Sequence, residues 1–287
     1  MPKIVKIVCL SLLALAGTTI TGCGKKDKAP PVATPTFTAS KERVALGGPI
    51  EVTYQFDVIA PIKDNYRVLV HVVNPDGDVL WNDDHDPAVP TSQWKPGQKI
   101  QYTRERFVPV VPFTGAATVR VGLYKGDERL PLQGADPDQR TYKVGTLQLL
   151  PQSENVFLIY KSGWNSPEFA PDNSEEWQWM QKSGVINFKN PHKDVTLYLE
   201  TDARPDLFTP PQQVSLVVNG KTIKTFAADA NKKTLQKIAI SAADLGTADT
   251  VELRLDVDKT FVLAQLGKGS DTRELGIRVY HVFVEPK

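Results

Sequence analysis

The chain has 287 residues, 41% of them hydrophobic, which is enough for one large or two ordinary domains with sizeable cores. Lys and Arg number 34 against 33 Asp and Glu, a net charge of +1 with no basic stripe, so composition excludes a nucleic-acid-binding surface. Twenty-two prolines, 19 glycines and short runs of Val, Thr, Tyr and Phe favour strands joined by tight turns.

The N-terminus reads as a targeting segment. "MPKIVK" is a positive n-region, "IVCLSLLALAG" an apolar h-region too short for a membrane span of about 20 residues, and "TTITGC" a processing site. Its end, Ile20, Thr21, Gly22 and Cys23, resembles the lipobox of bacterial lipoproteins. The resemblance implies cleavage after residue 22 and acylation of Cys23 on its thiol and amine. At about 0.8 kcal/mol per buried CH2, two or three acyl chains anchor stably. Cys9 leaves with the signal peptide and Cys23 carries lipid, so the mature chain is expected to hold no disulfide and to rely on its cores. Gly24, where an Asp would favour retention in the inner membrane of enterobacterial-type hosts, points to the outer membrane. Lys25, Lys26 and Lys28 and the prolines beyond them read as a tether over residues 23–36.

From residue 37 to 151 the pattern has period two. "IEVTYQFDV", "YRVLVHVV", "KIQYTRERFV", "ATVRVGLY" and "YKVGTLQLL" are strand candidates, and "NPDGD" is a hairpin turn with Asp76-Gly77 at its apex. Six to eight such strands predict an immunoglobulin-like β-sandwich without the Cys–Trp–Cys signature. After "LLPQSEN", residues 152–287 give "VFLIY", "EWQWM", "VINF", "VTLYLE", "QVSLVV", "KTIKTF", "LQKIAI", "TVELRLDV" and "IRVYHVFVE". Asn219-Gly220 suits a type I′ hairpin, "AADLG" is at most one turn of helix, and the whole predicts a jelly-roll-like β-sandwich. The fold class is therefore all-β, two sandwiches behind a cleaved lipoprotein signal peptide.

"WNDDHDPAVPTSQWKPGQKIQYT" and "VRVGLYKGDERLPL" resemble a sandwich module that follows the membrane spans of some bacterial dolichyl-phosphate-mannose-type glycosyltransferases. "EEWQWM", "VSLVVNG" and "DTRELGIRV" are similar to another module of those ectodomains. The membrane-embedded catalytic part of those enzymes has no counterpart here. The resemblance implies an envelope location, the sandwich fold and a link to envelope glycans, with no catalytic residue and no cofactor.

Four groups carry candidate chemistry. Asp83, Asp84 and Asp86 in "WNDDHDP" are hard oxygen donors of the kind Ca2+ takes, although their order does not match an EF-hand, and the competing reading is a solvated, Asx-capped turn before Pro87. His71, His85, His192 and His281 are too scattered for a catalytic triad, and no nucleophile-elbow, zincin or P-loop motif occurs. His71 and His281 alternate with valines and read as half-exposed sheet residues. Trp164, Trp177 and Trp179, with Glu168, Asp172, Glu175 and Glu176 beside them, supply the aromatic faces and carboxylates that a sugar site uses. Trp177 and Trp179 share a strand face while Met180 points the other way, so at least one of the pair is expected in a core, with Ile186 and Phe188 as partners. Asp271 and Arg273 either grip a sugar or pin a loop to the sandwich rim.

These residues predict a membrane-anchored, non-enzymatic lipoprotein. It acts as an adaptor or glycan-binding accessory, with a structural or protein-interaction module of a membrane complex as the alternative and a cell-wall glycan hydrolase behind both.

Overall fold

The computed structural model describes residues 29–171 and 175–287. The signal segment, Cys23, the lysines after it and Asp172 lie outside the described residues. Among the described residues no helix is long and apolar enough to cross a membrane. The protein is all-β.

Ten strands form the first half: β1 (Ala33–Ala39), β2 (Arg43–Ala45), β3 (Pro49–Val58), β4 (Arg67–Val73), β5 (Val79–Asn82), β6 (Lys99–Phe107), β7 (Gly115–Lys125), β8 (Glu128–Leu130), β9 (Ala135–Asp138) and β10 (Thr141–Leu150). One sheet has the order β1-β3-β6, the other β2-β10-β7-β4-β5, with β8 against β7 and β9 against β10. β2 crosses from the first sheet to pair parallel with β10, closing an immunoglobulin-like sandwich. β1 begins earlier than the tether reading placed it. Ala33 is fully buried, and Pro35 is tolerated because β1 pairs only with β3 and so is an edge. The "NPDGD" turn closes with Gly77 N–H donating to Asn74 O, and Gly77 sits at φ +92°.

Alternation decides which side chains enter this core. Val52, Tyr54, Phe56 and Val58 of β3 face Val68, Val70 and Val72 of β4 and Val119, Val121 and Leu123 of β7. Trp94 fills the end of the sandwich at 2% exposure. Its ring centroid lies 5.1 Å from that of Phe56, and its indole N–H donates to Val89 O at 2.8 Å.

The second half adds β11 (Leu158–Tyr160), β12 (Glu168–Phe169), β13 (Glu176–Trp179), β14 (Ser183–Lys189), β15 (Val195–Asp202), β16 (Gln212–Val218), β17 (Lys221–Ala228), β18 (Thr234–Ile240), β19 (Thr250–Val257) and β20 (Arg278–Pro286). They make two five-stranded sheets, β11-β14-β19-β16-β17 and β12-β13-β20-β15-β18, the jelly-roll-like arrangement. Asn219 and Gly220 both take positive φ, 47° and 83°, as a two-residue type I′ loop requires. "AADL" forms the single helical turn α1 (Ala242–Leu245), capped by Ser241, whose Oγ accepts from Asp244 N–H. Met180, Ile186, Phe188, Leu197, Leu199, Leu253 and Leu255 fill the space between the sheets.

The outer face of the β3–β6 ribbon meets the outer face of β18, β15 and β20. Phe107 stacks on His281, centroids 4.4 Å apart at 11°, and Lys237 reaches Glu51 and Glu105 while Lys41 reaches Glu285. These ion pairs are partly exposed, and such pairs contribute little each, about 0–1 kcal/mol. Each half therefore depends chiefly on its own core.

Trp94→Ala is expected to cost the first sandwich about 3–5 kcal/mol, the range for truncating a buried aromatic, and to leave the second sandwich's transition where it was. Calorimetry of the two proteins checks this; a joint shift of both transitions would mean that the halves unfold as one unit.

Candidate functional site

β13 is exposed at its start and buried at its end, at Trp179 and the adjoining Met180. Met180, just beyond its end, points between the sheets and is fully buried. Trp179 points the other way, onto the outer face, yet is only 9% exposed because the chain beyond β19 folds over it. Phe261 and Leu275 of that loop close a small second core with Trp179, joined at its margin by Trp177, Leu207, Phe208 and Leu263. The Trp179 and Phe261 rings meet edge to face at 5.7 Å. Ile186 and Phe188, expected from sequence as partners of the buried indole, pack instead in the main core with Met180.

Beside Trp179 the outer face carries a charged cluster. Asp202, the last residue of β15, has a side chain 3% exposed and lies opposite Arg278 of β20. Arg278 Nε donates to Asp202 Oδ1 at 2.7 Å, a second guanidinium nitrogen pairs with Oδ2, and Tyr280 O–H donates to the same Oδ2 at 2.9 Å. The Arg278 guanidinium carbon stands 5.4, 5.5 and 5.6 Å from the ring centroids of Trp177, Trp179 and Tyr280. Burial, then the Asp202 charge, pushes the Tyr280 phenol up, so its proton stays on the hydrogen bond. Lys233 Nζ lies 5.3 Å from the Tyr280 ring centroid and pairs with Glu175 at 2.6 Å.

A polar chain fixes Trp177 from its other side. The Trp177 indole N–H donates to Glu168 Oε2 at 3.1 Å, and Glu168 pairs through Oε1 with Arg273 at 2.7 Å. Arg273 in turn forks onto Asp271, with a closest approach of 2.6 Å, and its hydrogen bonds hold the Asp271 carboxyl below its usual range. Asp271 and Arg273 thus tie the loop before β20 to β12. Trp164 stands apart from this face: its ring lies over Gly184, where any Cβ would come within 2.7 Å, and its N–H donates to Val185 O at 3.0 Å. Tyr160 meets it edge to face at 4.9 Å. Of the five candidate glycan residues, Trp177, Trp179, Asp271 and Arg273 are brought into one connected network, and Trp164 is not.

The structure sends Asp83, Asp84 and Asp86, the weak Ca2+ candidates, to separate partners. Asp83 accepts from Arg104 and Arg106, Asp84 Oδ1 accepts from Val70 N–H at 2.9 Å, and Asp86 lies 3.5 Å from Arg67. Each carboxylate has a different cationic or backbone partner, and among the described residues no three metal-ligating side chains converge. Asp86 is exposed and Asp84 caps a backbone amide, while His85 between them is buried, its ring nitrogens against Asp83 O and the Tyr102 hydroxyl. The signal was present in "YTRER", which places Tyr102, Arg104 and Arg106 on one strand face. Sequence reading missed Asp202, Arg278 and Tyr280 altogether.

No family model matches the chain, and no curated protein matches it. Among solved structures it is similar to a family 35 carbohydrate binding module from an environmental isolate, at 16% identity over 45% of this chain and 91% of that one, with a TM-score of 0.29. It is similar to the Bacteroides uniformis β-glucuronidase at 8% identity over 88% of this chain and 30% of the other, TM-score 0.31. A structure of the CBM51-2 and INT domains of Clostridium perfringens ZmpB aligns at 14% identity over 60% of this chain and 39% of that one, TM-score 0.22. Likenesses at this level carry no argument about what the chain binds.

Arg278→Ala is expected to destabilise the second sandwich by about 3–5 kcal/mol, because it strands the buried Asp202 carboxylate without its cation. Trp179→Ala falls in the same range as a core truncation, whereas Trp177→Ala, at the margin, costs less. Urea unfolding of the three variants checks the order; a Trp177→Ala loss equal to that of Trp179→Ala would place both indoles in the core.

Proposed function

We propose that the chain is a membrane-anchored, non-enzymatic envelope lipoprotein, tethered through acylated Cys23 at the outer membrane, whose second sandwich binds glycan as an accessory in polysaccharide biogenesis. The observation that carries this reading is the half-buried Trp177, held in place by Glu168 on one side and by Arg278 and Tyr280 on the other. An immobilised aromatic face loses little entropy when a sugar ring packs on it, and the charged groups around it supply hydrogen-bonding partners for hydroxyls. The carboxylates of this network, Glu168, Asp202 and Asp271, are each held by a guanidinium, which suits positioning better than proton transfer. The lipobox-like "ITGC" and the resemblance to glycosyltransferase ectodomain modules support the envelope setting.

One feature favours a protein-interaction role instead. β11 is an edge strand paired only with β14, and it exposes Ile159 (44%) beside Phe157 (79%), an apolar edge of the kind that a partner strand or loop covers.

On a glycan array the full chain in detergent is expected to bind envelope-type oligosaccharides, and Trp177→Ala is expected to lose that binding by tenfold or more while its near-UV circular dichroism stays native. Retained binding by the variant would exclude the Trp177 face. Cys23→Ser is expected to abolish incorporation of labelled palmitate; equal labelling of the variant would overturn the anchoring assignment.

A further inference from the structure

A cavity lies on the other sandwich, on the outer face of the β4–β7 pair, and has a volume of about 670 Å³. That is within the range of about 300–1,000 Å³ typical of small-ligand sites. Leu69 of β4 lines it, and Gly122 of β7 is the partner of Leu69 across the sheet. A Cβ at Gly122 would stand 3.0 Å from Arg140 O, so glycine is what lets the β9–β10 hairpin lie close over the sheet.

Two hairpin tips form one wall. The β7–β8 hairpin turns at Gly126-Asp127 and carries Arg129; the β9–β10 hairpin turns at Gln139-Arg140. The arginines lock the hairpins reciprocally: Arg129 donates to Gln139 O at 2.8 Å, and Arg140 donates to Arg129 O. Both guanidiniums are thereby held beside the cavity. Gln139 and Arg140 also take positive φ, 45° and 59°, a conformation that Asn and Gly adopt cheaply and that Gln and Arg do not. A strained turn that presents an arginine to a cavity is a departure from local preference of the kind found at binding sites.

The opposite wall differs in chemistry. It carries Asp84, Tyr124 and His71, and burial, with Arg129 adding to it and Asp84 opposing, keeps the His71 imidazole below its usual range. A neutral imidazole offers one donor and one acceptor, as a hydroxyl-bearing ligand requires.

We propose that this cavity is a binding site for acidic saccharide, a glycan whose rings carry carboxylates, with the carboxylate on the Arg129–Arg140 wall and ring hydroxyls on the Asp84, His71 and Tyr124 wall. A planar carboxylate matches the fork of a guanidinium, and the bipolar walls orient a ring that is anionic at one edge and hydroxylated at the other. The site is separate from the Trp177 face and does not depend on it.

Titration calorimetry of the full chain in detergent tests this with tetragalacturonic acid, neutral cellotetraose and inorganic phosphate. The acidic tetrasaccharide is expected to bind, at least tenfold more tightly than cellotetraose, and phosphate is not expected to displace it at equal concentration. Arg129→Gln and Arg140→Gly are each expected to weaken binding tenfold or more. Arg140→Gly also relieves the positive φ, so its melting temperature should hold or rise, which separates lost binding from lost folding. Equal affinity for the neutral sugar, displacement by phosphate, or undiminished binding by Arg140→Gly would each overturn the proposal.

Discussion

Asp202 is the constraint around which the outer face of the second sandwich is arranged. A carboxylate that is 3% exposed has lost its water, and a cation and further donors must take its place. Arg278 and the Tyr280 hydroxyl supply them. The guanidinium, drawn in to meet Asp202, then lies among three aromatic rings, and those rings must themselves be held against water. Phe261 and Leu275 close over Trp179, and Glu168 fixes Trp177 by its N–H. One buried charge thus accounts for a cation, three rings, a covering loop and the Arg273–Asp271 tie that secures the loop's return to β20.

The division of that face follows from the same geometry. β20 runs along it from Arg278 to Glu285, and the first sandwich contacts it from His281 onward, at His281, Phe283 and Glu285. Arg278 and His281 are three residues apart, roughly 10 Å at a strand rise of about 3.3 Å per residue. The Trp177 end therefore belongs to the second sandwich alone, while the other end is occupied by Phe107, Glu105 and Lys41 of the first.

Much of this was legible in the amino-acid order, and particular residues show where legibility stops. Period-two alternation located nearly all the long strands, and Asn219-Gly220 located its hairpin, because those signals are local. The common face of Trp177 and Trp179 was equally local. Their difference in burial was not, since it depends on Phe261 and Leu275 in an aperiodic loop some eighty residues and more downstream. Asp202 and Arg278 are 76 residues apart and meet only through the register of β15 with β20. That register contains an irregularity between Glu200 and Thr201, which leaves Tyr280 outside the pairing, between His281 and Val279. Strict parity would place Tyr280 and His281 on opposite faces; the bulge lets both serve the outer one, Tyr280 toward Asp202 and His281 toward Glu200 and Phe107.

The charged loop "WNDDHDP" shows the same limit in the other direction. Three closely spaced aspartates invite a cation, yet in the fold they turn to different partners on two strands: Asp83 faces Arg104 and Arg106 of β6, while Asp84 caps the Val70 amide and Asp86 meets Arg67, both of β4. Proximity in sequence brought the carboxylates together and sheet geometry drew them apart. The arginines at the cavity have the converse history, since Arg129 and Arg140 belong to separate hairpins and are joined by the hydrogen bonds that each donates to the other hairpin's backbone. Chemistry on a β-sandwich is assembled across strands, so a run of like residues along one strand or loop is weaker evidence of a site than single residues that the pairing register delivers to the same patch.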